Sequence, residues 1–554
     1  MLLSFLHYNI TLVVVFTTLY SYGNYLLNLF KFNDNKNLFF KVLVGYTFVG
    51  IITVIVHFFF KINNVFSIIL ILIGLIVFII NHKTYLKRNY WFFLLLLVFM
   101  SPLLFANSSH PIDSNMYHHP YVSYLKSEKI VIAIANIQFR FGHISFLQYT
   151  QAALTNNYLH KISLASINII FYFSFIYYIL KDILLKKKFD YIFLVQILIG
   201  SFLLIKFARY REYGNDLIPL LVCLYFLIEI LKELYKSTNY KIILINLALP
   251  FLAFMFAHKI SYIFATFIFL VIVNYRNLSF FKIKNNYYIL VSLLILFPWL
   301  LKNYFTTSCF AYPVAITCFS NNFFVLSGLA EVSNAAWLSE IWAKGFIDHP
   351  DWRNLDLNLY ISKFNWVSTW INNHFIKILE IMSPLFLIII LLSFGLIANK
   401  EFLKKNNSKI RMKKDYIILL FLIILGLFFW FYNAPLFRYG AFYIIAFIAI
   451  LFILCLDYLF KIKKFENLNF FKIIFGLSVV FFILKNFDRI NNSNNSFFPK
   501  TIMTSISIHP SSTDLIITTP KTGGVCHYTD KICSHEIPKN LYISKLRNYY
   551  ILGF

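Results

Sequence analysis

The sequence is short of charge. Only 13% of its 554 residues are Asp, Glu, Lys or Arg, where a soluble domain carries about 25%. Carboxylates are the scarcer sign, with 23 Asp+Glu against 50 Lys+Arg. So little charge excludes a soluble enzyme, a disordered chain and a nucleic-acid-binding module. No Gly-x-x-x-x-Gly-Lys-Ser/Thr phosphate loop is present, so no soluble nucleotide site is expected. No Lys or Arg precedes the first apolar run and no small-residue cleavage site follows it, so that run is expected to be retained. There is no internal repeat beyond an alternation of apolar spans. What fills the chain is apolar: 60% hydrophobic residues and a mean hydropathy of +0.70. The reading is an all-α polytopic membrane protein.

A membrane helix needs about 20 mostly apolar residues. Fourteen stretches qualify, near 9–30, 39–60, 64–81, 90–106, 163–180, 190–207, 214–231, 241–257, 259–274, 287–301, 376–398, 416–432, 439–460 and 469–485. The third, eighth, ninth and tenth are short, which leaves room for a re-entrant segment. Alternate connections are short and basic, among them Lys31/Lys36/Lys41, Lys83/Lys87/Arg88, Lys181 to Lys188, Arg276/Lys282/Lys284, Lys400 to Lys414 and Lys461 to Lys472. All fall on one side, the positive-inside pattern, and this accounts for the net charge of +27 without an anionic partner. The other side receives three long segments. The chain then divides into helices over 1–106, a first large outer loop over 107–162 and helices over 163–301. A Trp-rich outer loop follows over 302–375, then helices over 376–485 and an extracytoplasmic tail over 486–554.

The six cysteines agree with this orientation. Cys223 and Cys455 lie inside spans. Cys309 and Cys318 share one outer loop, and Cys526 and Cys533 share the tail. Two close pairs on an oxidising face are expected to be two local disulfides. Neither pair has the spacing of a structural zinc site. The tail opens with NNSNNS at 491–496, runs through TIMTSISI at 501–508 and TDLIITT at 513–519, and turns at Gly523–Gly524. A small mixed or β-rich appendage is expected there.

Chemistry concentrates in the first outer loop. Asp113, the Tyr117-His118-His119 cluster, Asn136 and Arg140 lie within 28 residues of each other, directly after a span. Asp113 before Ser114 also has the makings of a helix N-cap. His118 and His119 are adjacent, so on a helix they point about 100° apart and are poorly placed to share one ion. A phosphate-binding or orienting role suits one of them better. No protein-held metal site is assigned, and a divalent cation stays open as a cofactor. Arg209, Arg211, Asp216, Lys259, Lys302 and Arg438 fall at outer span ends or in outer loops. Cations near an apolar core tend to pair or face a cavity. Lys259, in a tight turn between two spans, is poorly placed to snorkel to the interface as Lys206 and Lys377 do. Several cations and two carboxylates on one face suit a phosphate head group, with Arg438 the preferred contact. Trp337, Trp342, Trp352, Trp366 and Trp370 crowd the 302–375 loop, as an interfacial aromatic belt or a lid stacking on sugar or prenyl chain. Glu331, Glu340, Asp348 and Asp351 add acids there.

An acidic residue just after a span, in the first large outer loop, resembles the GT-C glycosyltransferases. These include the protein mannosyltransferases and the lipid A aminoarabinose transferases. The closer resemblance is to a largely uncharacterised group of bacterial multi-span proteins with GT-C-like organisation. Asp113-Ser-Asn-Met-Tyr117-His118-His119-Pro120 is similar to that group's Asp-x-x-x-Tyr-His-Leu-Pro, with His119 in place of Leu. Ala135-Asn136-Ile-Gln138-Phe139-Arg140 resembles its Ala-Asn-Leu-His-Gly-Arg, with Gln138-Phe139 in place of His-Gly. Asn215-Asp216-Leu-Ile-Pro219, His258-Lys259-Ile-Ser261, Pro298-Trp299-Leu-Leu-Lys302-Asn303 with Tyr312-Pro313, and Ala434-Pro435-Leu-Phe-Arg438-Tyr-Gly440 follow in the group's order.

The resemblance implies a GT-C-like bundle of about 13–14 spans. It implies a carboxylate general base, here Asp113, and a polyprenyl-phosphate-linked sugar as donor. The expected function is transfer of that sugar to a glycan or lipid acceptor on the outer face of the bacterial inner membrane. Membrane lipid is a partner and nucleic acid is not. Tyr117, His118, Asn136, Arg140, Asp216, Lys259, Lys302 and Arg438 are the expected substrate and phosphate contacts. Alternative readings are a transporter or flippase of lipid-linked sugars, an O-antigen polymerase or ligase type enzyme, and a non-catalytic assembly factor. A transporter should show Gly- or Pro-interrupted spans in matched halves, and none are evident.

Overall fold

The computed structural model describes residues 2–30, 37–81, 88–104, 113–160, 163–206, 214–236, 242–272, 287–319, 329–398, 414–459, 468–492, 506–509, 513–521, 525–526, 529–535 and 537–553. Arg209, Arg211, the Gly523–Gly524 turn and the Lys400 to Lys413 run lie outside them.

The first four helices are α1 (Leu2–Leu29), α2 (Leu38–His57), α3 (Asn64–Ile80) and α4 (Arg88–Met100). Two short helices follow in the first outer loop, α5 (His119–Ser127) and α6 (Phe146–Ala153). Next come α7 (Ser163–Leu185), α8 (Tyr191–Lys206), α9 (Leu217–Lys236) and α10 (Ala248–His258). A 3₁₀ helix over Ile260–Val271 precedes α11 (Tyr287–Thr307) and α12 (Leu329–Ala343). The set closes with α13 (Ile376–Ala398), α14 (Lys414–Asn433), α15 (Phe437–Leu459) and α16 (Asn469–Asn491).

Each of the fourteen apolar stretches is helical, but their lengths differ. Among the described residues, eight helices are long and apolar enough to cross a membrane: α1, α2, α7, α11, α13 with the turns before it, α14, α15 and α16. Five more are apolar but shorter, at 64–80, 89–104, 191–206, 244–258 and 260–271. A chain with this many such helices is a multi-pass membrane protein.

Sequence spacing explains which helix sides pack. In α3, Ser67, Leu70, Ile71 and Gly74 are buried, while Ile69, Ile73, Ile76 and Ile80 are exposed. Both sides are apolar, so the exposed one suits lipid rather than water. Helices α7 and α8 are buried on nearly all sides and form the centre. At the α1–α2 crossing, a Cβ on Gly23 would sit 1.7 Å from the Lys41 carbonyl oxygen, and one on Gly45 would sit 1.8 Å from that of Leu19. Only glycine lets these backbones meet.

One boundary is corrected. The tenth stretch is not short and Lys302 is not in a loop, because α11 runs on to Thr307. The Thr306 hydroxyl donates back to the Lys302 carbonyl at 2.8 Å and that of Thr307 to the Asn303 carbonyl at 2.7 Å. These bonds satisfy the threonine hydroxyls within the helix, so the polar sequence KNYFTT does not stop it.

The tail forms a three-stranded sheet of β1 (Ile506–His509), β2 (Ile517–Pro520) and β3 (Ile532–Cys533), with β1 antiparallel and β3 parallel to β2. A hairpin of β4 (Tyr542–Leu546) and β5 (Tyr549–Gly553) follows. Disulfides join Cys526 to Cys533 and Cys309 to Cys318. Strand β5 docks on the first outer loop. Ile132 donates to the Tyr550 carbonyl at 2.9 Å, and Leu552 donates to the Ile132 carbonyl at 3.1 Å.

The bundle has two polar ends. At one, Lys232 bridges Asp182 at 2.6 Å and Glu229 at 2.8 Å, and Lys472 donates to the Leu184 and Lys186 carbonyls. The other carries the 113–160 segment, the tail and the residues considered next.

Candidate functional site

Asp113 opens a π-helical turn over Ser114–His118 that leads into α5. It stands at the N-cap position, yet its own backbone is helical and its carboxylate caps no N–H. The cap role is therefore not what this side chain performs. Its Oδ2 lies 3.4 Å from Nη1 of Arg438, and both side chains are nearly half exposed. Their separation in sequence is 325 residues.

Arg438 is held from behind. It lies in the first turn of α15, after the Ala434-Pro435-Leu436 turn. Trp370 donates to the Pro435 carbonyl at 2.7 Å, and Trp430 donates to that of Leu436 at 2.8 Å. The Tyr262 hydroxyl donates to the Arg438 carbonyl at 2.9 Å. Trp370 is thus a buried anchor of this turn, with Trp366 buried beside it, whereas Trp342 and Trp352 are exposed. The Trp-rich segment divides into a structural half and an accessible half.

The second pair is tighter. Lys259, at the junction of α10 and the 3₁₀ helix, reaches Asp216 Oδ1 at 2.7 Å and Asn215 Oδ1 at 3.3 Å. It also lies 4.4 Å from the ring centroid of Tyr439. Burial pushes the Asp216 carboxyl upward, but Lys259 and Arg438 outweigh it and hold the group below the usual carboxylate range. Asp216 is an anion here.

His118 joins the two pairs. The Gln148 amide oxygen is fixed as an acceptor by the Ser145 N–H at 3.0 Å and the Ser145 hydroxyl at 2.9 Å, in the capping box of α6. Its NH₂ therefore faces His118 Nδ1 at 2.8 Å. The His118 Nδ1 must accept, which leaves its proton on Nε2. Burial drags this imidazole down to about 4, against the opposing pull of the Asp113 and Asp216 charges. His118 is a neutral donor. The Tyr117 ring packs on it at 4.2 Å, and burial, then the Asp113 charge, pushes the Tyr117 phenol up.

Arg140 lies 5.6 Å from the Tyr117 ring centroid and bonds the Met116 sulfur. Lys302 is 1% exposed. It bonds Asn303 Oδ1 at 3.2 Å and lies 4.4 Å from the Trp299 ring centroid. Arg140, Lys259 and Lys302 all act on His143, which packs at 5.1 Å on Tyr312. Burial, then these three charges, drags the His143 imidazole down to about 4.

The fold thus gathers Asp113, Tyr117, His118, Asp216, Lys259 and Arg438, with Arg140 over the Tyr117 ring, while Lys302 is buried against Trp299 and Asn303. Asn136, another of the expected contacts, is held by the tail. Its amide donates to the Leu552 carbonyl at 2.9 Å and ties the loop to the tail hairpin. His143, Gln148 and Tyr439 were not singled out from sequence. His143 lies three residues after Arg140 and Tyr439 directly follows Arg438, so adjacency was the one available signal. Among the described residues, no three His, Cys, Asp or Glu side chains are grouped to hold a metal ion.

Residues 1–445 match the model of a family described as Domain of unknown function (DUF8201). The chain belongs to this family. The DUF8201 match contains every residue of the cluster, from Asp113 to Arg438, and stops before α16 and the tail. No curated protein and no solved structure matches the chain.

Proposed function

We propose that this protein is an integral-membrane glycosyltransferase with GT-C-like organisation. It moves a sugar from a polyprenyl-phosphate-type donor to an acceptor hydroxyl. The observation that carries the reading is the loose, half-exposed Asp113–Arg438 pair, 3.4 Å long, beside the tight Asp216–Lys259 pair. A lipid phosphate competes with Asp113 for Arg438, because its two free oxygens take both guanidinium donors while Asp113 holds one of them at only 3.4 Å. Its arrival displaces Asp113, which then faces the acceptor.

In the transfer step, Asp113 takes the acceptor hydroxyl proton as the oxygen attacks the anomeric carbon. The bond from that carbon to the phosphate oxygen breaks, and its electron pair leaves with the lipid phosphate. Arg438 stabilises the leaving charge, with Arg140 across Tyr117 as a second cation. His118, a neutral donor through Nε2, adds a hydrogen bond without a charge. Asp216 keeps Lys259 in place.

A lipid tail also has a place. An apolar groove of ≈ 590 Å³ runs between α13, α14 and α15, lined by Phe386, Leu427, Ile444, Phe447, Leu451 and neighbours. It begins at Ile444, six residues along α15 from Arg438, or about 9 Å at the helical rise. The described Lys186, Lys232 and Lys472 lie at the bundle end opposite the cluster, and the positive-inside bias supports reading the cluster as extracytoplasmic, on a bacterial inner membrane.

The test is glycan transfer by purified protein, supplied with lipid-linked sugar, for wild type, Asp113→Asn and Asp113→Glu. The Asn variant should lose about 10²–10⁴ in turnover at unchanged folding. Near-normal turnover by Asp113→Asn removes the general base. A wild type that moves the lipid-linked sugar across vesicles without transferring it is a transporter.

A further inference from the structure

The spanning helix α2 ends at His57, and the turn after it is apolar and bare. Phe59 and Phe60 are 61% and 69% exposed. Two backbone bonds tie this turn to the first outer loop. Ile130 donates to the His57 carbonyl at 3.0 Å, and Ile62 donates to the Leu125 carbonyl at 2.8 Å. The tail hairpin closes on the same place. The Tyr549 hydroxyl donates to the Phe58 carbonyl at 3.1 Å, and the Lys129 ammonium lies 4.2 Å from the Tyr549 ring centroid. Leu546 is paired with Tyr549 across the hairpin, so their side chains share the face that meets Phe58, and Leu546 is half exposed.

Cations border these apolar side chains. Lys61 follows Phe60 directly and is exposed, Lys129 is half-buried, and Arg547 stands exposed at the hairpin tip. None of these three pairs with a carboxylate among the described residues. Their neighbours are engaged elsewhere: Lys126 donates to the Thr155 carbonyl at 2.6 Å, and Lys545, on the other hairpin face, meets Asp514 at 3.0 Å. Glu128 is the one acid in segments 57–63, 125–131 and 545–550. Arg547 adds an independent observation. Its φ is +55°, in the left-handed region that a two-residue hairpin turn uses and that Gly or Asn fills with least strain. An Arg held there at an exposed tip points to a use for its charge.

Bare aromatic side chains at the end of a spanning helix suit the boundary between acyl chains and headgroups, and unpaired cations beside them suit lipid phosphate. A neutral lipid would satisfy the phenylalanines and leave the cations unmatched. We propose that the α2–α3 turn and the tail hairpin together form a headgroup site for an anionic phospholipid of the surrounding leaflet. Phe59, Phe60 and Leu546 enter the acyl boundary, and Lys61, Lys129 and Arg547 hold the headgroup phosphate. The site is distinct from the Asp113–Arg438 cluster and does not depend on the transferase reading. It gives a role to the tail, which lies beyond the family match: the lipid pins the hairpin, and through Ile132 and Asn136 the first outer loop, to the membrane surface.

The experiment places the full-length protein in phosphatidylcholine bilayers doped with a headgroup-photoactivatable phosphatidylglycerol or, separately, with the matching phosphatidylcholine. Crosslinked peptides are mapped by mass spectrometry. Segments 57–63 and 545–550 should carry several-fold more phosphatidylglycerol adduct than phosphatidylcholine adduct. That excess should disappear in Lys61→Gln/Lys129→Gln and fall several-fold in Arg547→Gly. Arg547→Gly suits the left-handed turn and should melt no lower than wild type, so its loss of adduct is not misfolding. Adducts at Lys186 to Lys188, at the opposite end of the bundle, should be the same in every variant. Equal adducts from both lipids on the wild-type segments overturn the headgroup site, and so does an undiminished excess in the variants. No adduct from either lipid on these segments, with normal labelling at Lys188, also overturns it and assigns the surface to a protein partner. None of these results bears on sugar transfer by Asp113.

Discussion

Replacing Asp216 by Asn tests whether the site is built on a charge-balanced frame. The Asp216–Lys259 contact is 2.7 Å, and each side chain is less than one-fifth exposed. At an effective dielectric of about 20, a pair at this distance attracts by about 6 kcal/mol before desolvation is counted. Desolvating the two ions takes most of that back. What remains exposed to mutation is the penalty of leaving Lys259 charged and unpaired, about 3–5 kcal/mol when fully buried. Lys259 keeps Asn215 Oδ1 at 3.3 Å and the Tyr439 ring, and both side chains retain some solvent. An expectation of about 2–3 kcal/mol follows. The double variant Asp216→Asn/Lys259→Met removes both charges and should return to within about 1 kcal/mol of wild type. Thermal and denaturant melting in detergent, followed by circular dichroism, completes the cycle. If the losses of Asp216→Asn and of Lys259→Met, each measured alone, add up to that of the double variant, there is no coupling, and the pair does not organise this end of the bundle.

Acid should loosen the same region through His118. Its folded value of about 4 lies below the ordinary 6.5, so the unfolded chain takes up the proton first and stability falls as pH drops from about 6.5 to about 4. The loss is roughly 3 kcal/mol over that window, and melting of His118→Gln between pH 7 and pH 5 should show a shallower decline; an identical slope refutes it. For orientation, a membrane-impermeant maleimide should label Ser333→Cys but not Lys187→Cys in intact cells, both positions being exposed at opposite polar ends. The reverse labelling places the cluster in the cytosol and ends the argument for an extracytoplasmic lipid donor.

Composition and periodicity were enough for the membrane character and for helices at all fourteen apolar stretches, because both are local properties. A run of Ile, Leu and Phe without charge has no other stable state in lipid. The paired cysteines and the β character of the tail were local signals too. Local order also exposed Asp113, His118 and Arg438 as unusual, since each interrupts or borders apolar sequence. The tertiary structure alone decided who meets whom. Asp113 and Arg438 are 325 residues apart, and only the side-by-side packing of bundle ends brings their charges within 3.4 Å. Asn136 lies among the site residues in sequence, and only the fold shows that the hairpin from the far end of the chain accepts from its amide. Lys302 looked like a loop residue, but the helix runs past it to Thr307 and the packed bundle buries it. Pairing depends on distances that sequence separation does not encode. Burial depends on what the rest of the chain lays over a residue.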